Sequence, residues 1–387
     1  MRNAVPFWFT APAMWRRSLL CSLCALATFS LPALTAAREL VVTQVVALSG
    51  PQGGVGKNLQ FGIKLFLDAA NSRGGVNGNT IRLVVKDDGY KVPDTVKLVT
   101  ESIAADDPIA LISPLGTANV EALLPVLTKE RIGVIGARTG ASSLTNHPFI
   151  FRVKATFQDE TAKIVEQLAS LGSTSFGVVY QDDGLGKDGL KGVVSALAAR
   201  QLKPVAISGY ERNTVKIEQA VADMLKANPQ AIVLAGVVAP TAAFVKQYRS
   251  AGGRAQLFSI STIDVDLVIK QAGLEAARGF SVSQVMPQAE TSFLQIARDM
   301  RDLAKKAGAP AGAVNATSLE GYLSAAVLVE GLRRAGNKPT RESLVRGLES
   351  LANFDVGGFR VSFGPGKHDG SSYVELGVVD GRGRVIQ

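Results

Sequence analysis

The chain has little of what most enzyme chemistry needs. Its 387 residues contain two cysteines, Cys21 and Cys24, and two histidines, His147 and His368. Both cysteines fall within an apolar N-terminal run, so a chain trimmed of that run has no thiol. Disulfides, thiolate nucleophiles and cysteine metal sites are then excluded. Two histidines alone make a poor zinc set. There is no Gly-x-Ser-x-Gly elbow and no visible nucleophile–base set. No cofactor is expected. No basic run interleaves with aromatics, which argues against a nucleic-acid partner. Beyond the N-terminal run, no segment is long and apolar enough to span a bilayer. Low-complexity stretches and internal repeats are also missing.

What is present begins with an export signal. Arg16 and Arg17 form a positive head, Ser18–Leu34 is an apolar run interrupted by Pro32, and the small residues Thr35, Ala36 and Ala37 offer a cut before Arg38. The alternative is a retained membrane anchor, but a span needs about 20 apolar residues and this run is shorter. The residues before Met14 are unusual for a signal, so the start stays open between Met1 and Met14. Residues 1–37 are expected to be removed on export to the periplasm. Of 42 Lys and Arg against 33 Asp and Glu, the leader takes Arg2, Arg16 and Arg17, leaving a thinly spread excess of six cations. That reads as a solvated surface. A hydrophobic fraction of 47% is enough to stabilise two lobes by apolar burial alone.

The mature sequence alternates β-rich runs with helical periods. Strands are predicted at Val41–Leu48, Ile81–Asp87, Ile109–Ile112 and Ile132–Ile135, with helices near Lys57–Asn71, Pro93–Ala105 and Ala118–Glu130. Leu59, Ile63, Phe66, Leu67 and Ala70 recur at three- and four-residue steps, an apolar stripe facing a sheet. The pattern restarts with strands Phe176–Tyr180, Pro204–Ser208, Ala231–Ala235 and Leu257–Ser261, separated by helices near Asp159–Leu171, Lys187–Arg200, Thr214–Ala227 and Thr241–Ala251. Continuous apolar strands alternating with helices imply parallel sheets covered on both faces, hence an α/β fold with two Rossmann-like lobes. Helices are then predicted at Phe293–Ala307, Ser318–Ala335 and Thr340–Leu351, and strands at Phe359–Phe363 and Tyr373–Val385, with Asp380-Gly381 as a hairpin turn. Three helices in a row do not extend the second lobe naturally. Their return to the first lobe gives more than one crossing between lobes, and so a hinge.

Gly50–Asn58, GPQGGVGKN, invites comparison with a phosphate-binding loop. Pro51 stands where that motif needs its first Gly, and Asn58 replaces the Mg²⁺-binding hydroxyl. Nucleotide hydrolysis is rejected. What survives is a Gly-rich turn opening a helix, whose free N–H groups and dipole suit a carboxylate, beside the plain alternative of a connecting turn. Ser113–Thr117 and Gly136–Ser143 are similar turns after strands, where open α/β sheets bind ligands. Arg138 is either a partner for an acidic ligand or an ordinary surface cation. Asp87-Asp88 and Asp182-Asp183 read foremost as loop and helix caps.

These loops, behind an export signal, resemble the leucine/isoleucine/valine-binding-protein family, periplasmic solute-binding proteins of ABC importers with the type I fold. The resemblance runs through Ala47–Pro51, Asn71–Gly78, Asp87-Asp88, Phe151–Val153, Tyr180–Asp183 and Leu185–Lys187. It implies two lobes joined by three crossovers and closing on a ligand, here divided as 38–153 with 285–360 and 154–284 with 361–387. It implies contacts to a ligand carboxylate from Gly116, Thr117, Thr139 and Gly140, a pocket wall at Val55, and second-lobe contacts from Leu185, Val237 and Thr262. Ser49 and Arg138 complete the candidate set. Amino-acid binders of this family place aromatics near Leu185 and Val237 and an acid near Ser261 or Thr262. This chain does not, although Asp264 is close by. A buried ammonium without a carboxylate is poorly compensated. An organic or aromatic acid is therefore favoured over a free amino acid. The implied partner is an inner-membrane ABC permease, and the protein is expected to act as a monomer. A sensor of the same fold feeding a membrane receptor, and less so an exported hydrolase, remain as alternatives.

Overall fold

The computed structural model describes residues 38–387; the predicted leader, with Cys21 and Cys24, lies outside the described residues. The first half-sheet is built from β1 (Glu39–Val46), β2 (Thr80–Asp87), β3 (Ala110–Ile112), β4 (Gly133–Ile135) and β5 (Ile150–Phe151) in the order β2-β1-β3-β4-β5, all parallel. Helices α1 (Gly53–Ser72), α2 (Val92–Asp106) and α3 (Thr117–Glu130) connect them. The second unit repeats the plan with α4 (Phe157–Ser170), β6 (Phe176–Gln181), α5 (Gly184–Ala198), β7 (Pro204–Tyr210), α6 (Glu218–Ala227), β8 (Ala231–Ala235), α7 (Val238–Ser250), β9 (Gln256–Ser259), α8 (Val265–Ala272), α9 (Leu274–Ala277) and β10 (Ser281–Gln284). There follow α10 (Gln295–Lys306), α11 (Ala316–Ala335), α12 (Arg341–Glu349), the hairpin β11 (Phe354–Val356) and β12 (Phe359–Val361), then β13 (Glu375–Val379) and β14 (Val385–Ile386). The second sheet runs β14-β13-β10-β9-β8-β6-β7, parallel from β7 to β10 and antiparallel at β13 and β14. This is the two-lobe α/β arrangement that the alternation of strands and helices implies.

Helix α11 lies along α1, and with α10 and α12 it shares one buried cluster with β1 and β3. Glycines set how closely α1 and α11 approach. A Cβ on Gly62 would lie 1.8 Å from the carbonyl oxygen of Ser318, and one on Gly321 would lie 2.3 Å from that of Leu59. The chain crosses between the lobes three times, at 152–156, 285–294 and 362–374. Buried polar groups tie the crossings together. Arg152 donates from Nε to Asp369 Oδ1 at 2.5 Å, and its backbone N–H donates to the His368 carbonyl at 2.9 Å. Lys154 Nζ donates to Ser261 Oγ at 2.7 Å and lies 3.5 Å from Glu160 Oε1. The Glu160 carboxylate also accepts from the Ser261 N–H and from Ser283 Oγ, at 2.6 and 2.5 Å. Arg152, Lys154 and Glu160 are each no more than 1% exposed.

Several boundaries differ from the sequence expectation. Helix α1 starts at Gly53 rather than Lys57, so most of the glycine-rich segment is the first turn of a helix and not a loop. Its glycines serve contact: a Cβ on Gly56 would lie 1.8 Å from the Ala47 carbonyl oxygen, and one on Gly53 2.9 Å from that of Leu48. Strand β10 was not expected, because Ser281 and Ser283 interrupt its apolar character. Tyr373–Val385 divides into β13 and β14 around Asp380, whose Oδ1 accepts from the N–H groups of Arg382 and Arg384, each at 2.8 Å.

Candidate ligand-binding site between the lobes

The strands of both sheets end at the face where the lobes meet, and most of the candidate residues follow those ends. After β3 the chain turns through Gly116, which caps α3 at φ +99°. This is a left-handed conformation, and a Cβ there would also lie 2.5 Å from Tyr90 Cε2, so glycine is required twice over. Helix α3 opens with no side-chain cap, leaving first-turn N–H groups and the positive dipole end unclaimed by a side chain. Thr117 and Thr139 meet there, Oγ1 to Oγ1 at 2.7 Å, both fully buried. Thr139 Oγ1 also accepts from the Ala141 N–H at 3.2 Å. The Gly140 carbonyl accepts from the Phe157 N–H at the start of α4, which joins this loop to the second lobe.

The second-lobe side of this junction is apolar. Leu185 in the first turn of α5 and Val237, the residue before α7, are buried in one cluster with Val55, Tyr90 and Leu115. Helix α7, like α3, begins without a side-chain cap. Thr262 is buried, but its hydroxyl donates to the Gly236 carbonyl. Nine of the ten candidates, Val55, Gly116, Thr117, Arg138, Thr139, Gly140, Leu185, Val237 and Thr262, are buried around this junction. Ser49 is exposed, its N–H 3.3 Å from Asp87 Oδ1. Arg138 has a partner from within the chain: Nη1 pairs with the Glu320 carboxylate, and Nη2 donates to the Ser261 carbonyl and Thr317 Oγ1 at 3.2 and 3.3 Å. Asp87, Asp88 and Asp183 are caps, while Asp182 pairs with Lys187 at the surface. Asp88 accepts from the Tyr90 N–H and Thr95 Oγ1, and Asp183 from the Gly186 N–H that opens α5.

Sequence reasoning missed the residue that does most to join the lobes here. Arg212, in the loop after β7, is held on its own lobe by Asp183 Oδ2 at 3.0 Å. It crosses to Asn119 Oδ1 at 2.7 Å and the Tyr90 carbonyl at 3.0 Å, with its guanidinium carbon 4.3 Å from the Tyr90 ring centroid. Burial, and then the charge of Asp183, pushes the Tyr90 phenol up to about 12, so it stays neutral at any physiological pH. Nothing around Arg212 in the sequence marks it. Asn58 to Asp264 at 2.7 Å and the Ser142 N–H to Asp188 at 3.1 Å are further bonds between the lobes, which stand closed on each other. Replacing Arg212 with alanine should loosen this closure. Small-angle scattering of the ligand-free variant is expected to give a larger radius of gyration than wild type, with the urea midpoint little changed. An unchanged scattering profile would show that Arg212 does not hold the lobes.

Comparison with known proteins agrees with this architecture. A family model described as a periplasmic binding protein matches residues 40–384. A crystal structure of a substrate-binding periplasmic protein from Ralstonia solanacearum is 43% identical, with a TM-score of 0.87, over 90% of this chain and 99% of that one. A possible leucine/isoleucine/valine-binding protein from Rhodopirellula baltica SH 1 is 27% identical, with a TM-score of 0.86, over 91% and 97%. A branched-chain amino acid ABC transporter protein from Thermus thermophilus, solved with bound valine, shares the fold at 20% identity and a TM-score of 0.82, over 91% and 95%. With nearly all of residues 38–387 matched and two lobes meeting at the ends of their parallel strands, the protein belongs to the periplasmic binding protein family, with the type I fold of the leucine/isoleucine/valine-binding proteins.

Proposed function

We propose that the chain captures a small carboxylate-bearing solute between its lobes and hands it to an ABC permease in the inner membrane, working as a periplasmic monomer once residues 1–37 are removed. The lobes that go with this reading are 38–153 with 285–360 and 154–284 with 361–387. No bond chemistry is involved. Solute contacts on both lobes favour closure by their differential binding energy.

The observation that carries the carboxylate is the uncapped start of α3 beside the Thr117–Thr139 hydroxyl pair. The observation that favours an organic or aromatic acid over a free amino acid is the opposite wall. Leu185 and Val237 are apolar, and the hydroxyls of Ser261 and Thr262 are already bonded to Glu160 and Gly236. A ligand ammonium on that wall meets hydroxyls already in use, and Asp264, two residues beyond Thr262, already accepts from Asn58 at 2.7 Å; an ammonium left without a partner is costly in a desolvated cleft.

A thermal-shift screen of aromatic acids, short aliphatic acids and branched-chain amino acids tests the reading. An acid present at a hundred times its Kd should stabilise the fold by about 2.7 kcal/mol. Replacing Thr117 and Thr139 by valine, which removes both hydroxyls at constant shape, should weaken that acid about tenfold or more, the equivalent of about 1.4 kcal/mol. Tight binding of leucine with no response to any organic acid would overturn the ligand class.

A further inference from the structure

Of the four strands that edge the two sheets, β5 and β14 are only two residues long. The two long ones differ. Strand β2 carries Arg82 and Lys86, charges of the kind that keep a sheet edge from pairing. Strand β7 carries no charge from Pro204 to Tyr210. Its odd-numbered residues face solvent, with Val205 52% and Ile207 48% exposed and Gly209 exposed beside them. An apolar strand open along one edge is a template for another strand.

The backbone follows the same alternation. The Tyr210 carbonyl accepts from the Asp182 N–H at 2.8 Å, so Tyr210 turns its backbone groups to β6. In a parallel pair every second residue does so, and Ser208 and Ala206 therefore serve β6 as well. Ile207 and Gly209 point their N–H and C=O groups away from the sheet. The register with β6 passes over Val205, which leaves its groups free too.

A second, independent feature says what fits this edge. Lys203 and Glu211 are both exposed and lie equally far on either side of Ile207. Among the described residues Lys203 has no ion-pair partner, and Glu211 has only the exposed Lys216, at 3.5 Å. An antiparallel copy of the same strand, aligned Ile207 on Ile207, brings Glu211 of the second copy opposite Lys203 and its Lys203 opposite Glu211. The same alignment places Val205 against Gly209 of the second copy, and it pairs outward-pointing backbone groups with each other. Shifting the alignment by two residues keeps the hydrogen bonds but loses both ion pairs.

We propose that β7 is a pairing edge for a second copy of this chain, joined antiparallel about Ile207, so that the two second-lobe sheets become one. Seven residues a side is small against the about 20–30 a side of a stable interface, so the association is weak and reversible. Each cleft is complete within one chain. Capture therefore stays a property of the monomer, and pairing is added to it as concentration rises.

Sedimentation velocity of the mature chain, from about 10 µM to about 1 mM, tests this. We expect the weight-average sedimentation coefficient to rise across that range. Ile207→Lys, which sets two cations face to face, should remove the rise. Lys203→Glu puts like charges together at both ends and should also remove it, and Lys203→Glu with Glu211→Lys should bring it back. These side chains are exposed, so the changes do not endanger folding. Ile207→Cys supplies a register test, because residues 38–387 contain no cysteine of their own. A hydrogen-bonded antiparallel pair holds its Cα atoms about 5.5 Å apart, within disulfide reach, so this variant should form covalent dimers on mild oxidation. Val205→Cys, about 14 Å from its counterpart, should not. A flat sedimentation coefficient, a charge-reversed double variant that stays monomeric, or equal cross-linking at 205 and 207 overturns the proposal. No solute enters these measurements, so their outcome is separate from that of the cleft's own ligand.

Discussion

Replacing Lys154 with methionine should destabilise the protein by about 3–5 kcal/mol, among the largest effects of any single change in the chain. Lys154 and Glu160 are both buried, and the ammonium is the only cation within ion-pairing distance of that carboxylate among the described residues. Removing the lysine leaves an ionised group surrounded by protein, with only Ser261 and Ser283 to solvate it. The pair itself is not a large net gain, because desolvating two charges offsets most of their attraction. The double change Lys154→Met with Glu160→Leu should therefore lose much less than the single one. Urea unfolding of the three variants against wild type separates these cases. If the single variant unfolds at the wild-type midpoint, the buried network at the hinge carries no energy. Ser261 belongs to this network and sits one residue from Thr262 at the cleft. The single variant should then also weaken solute binding, whereas a remote core defect would not.

Gly62→Ala should cost about 3 kcal/mol, the upper end of ordinary overpacking. One methyl group is enough because its neighbour is backbone: the Cβ would sit 1.8 Å from the Ser318 carbonyl oxygen and 2.8 Å from the Tyr322 nitrogen. No rotamer change relieves that contact, so α1 and α11 must move apart along their length. Gly321, on the facing helix, makes the reciprocal approach to Leu59. Gly364→Ala is the matched control, since an added Cβ there meets nothing within 4 Å. Denaturant unfolding should show a near-neutral control beside a strongly destabilised Gly62 variant. Equal midpoints would mean that the helices do not touch as described. The displacement reaches the cleft as well, because α11 carries Glu320, which holds Arg138 in the loop after β4.

How much of this was legible in the sequence follows from where each signal resides. The parallel sheets were readable because their strands, apolar on both faces, are short and alternate with helices whose apolar stripes keep a helical period. The three late helices stood out because no strands separate them. Strand β10 was not readable, since its Ser283 is buried against Glu160, a residue more than a hundred positions earlier. The glycines before Lys57 looked like a ligand loop, because sequence cannot tell a glycine needed for its φ from one needed to let a helix touch a carbonyl. Arg138 looked available to a ligand, because Glu320 lies 182 residues away. Arg212 gave no local sign at all, since its importance lies in partners on the other lobe.

The order in which the chain is made has a consequence for how it can fold. The first sheet is left without its α11 cover until residues beyond 316 are available, and the second sheet takes β13 and β14 from the final stretch. Neither half can finish its core from a nascent fragment. Contacts between such remote segments carry a large loop-closure entropy and form slowly. Both cores therefore close only when the C-terminal stretch is in place.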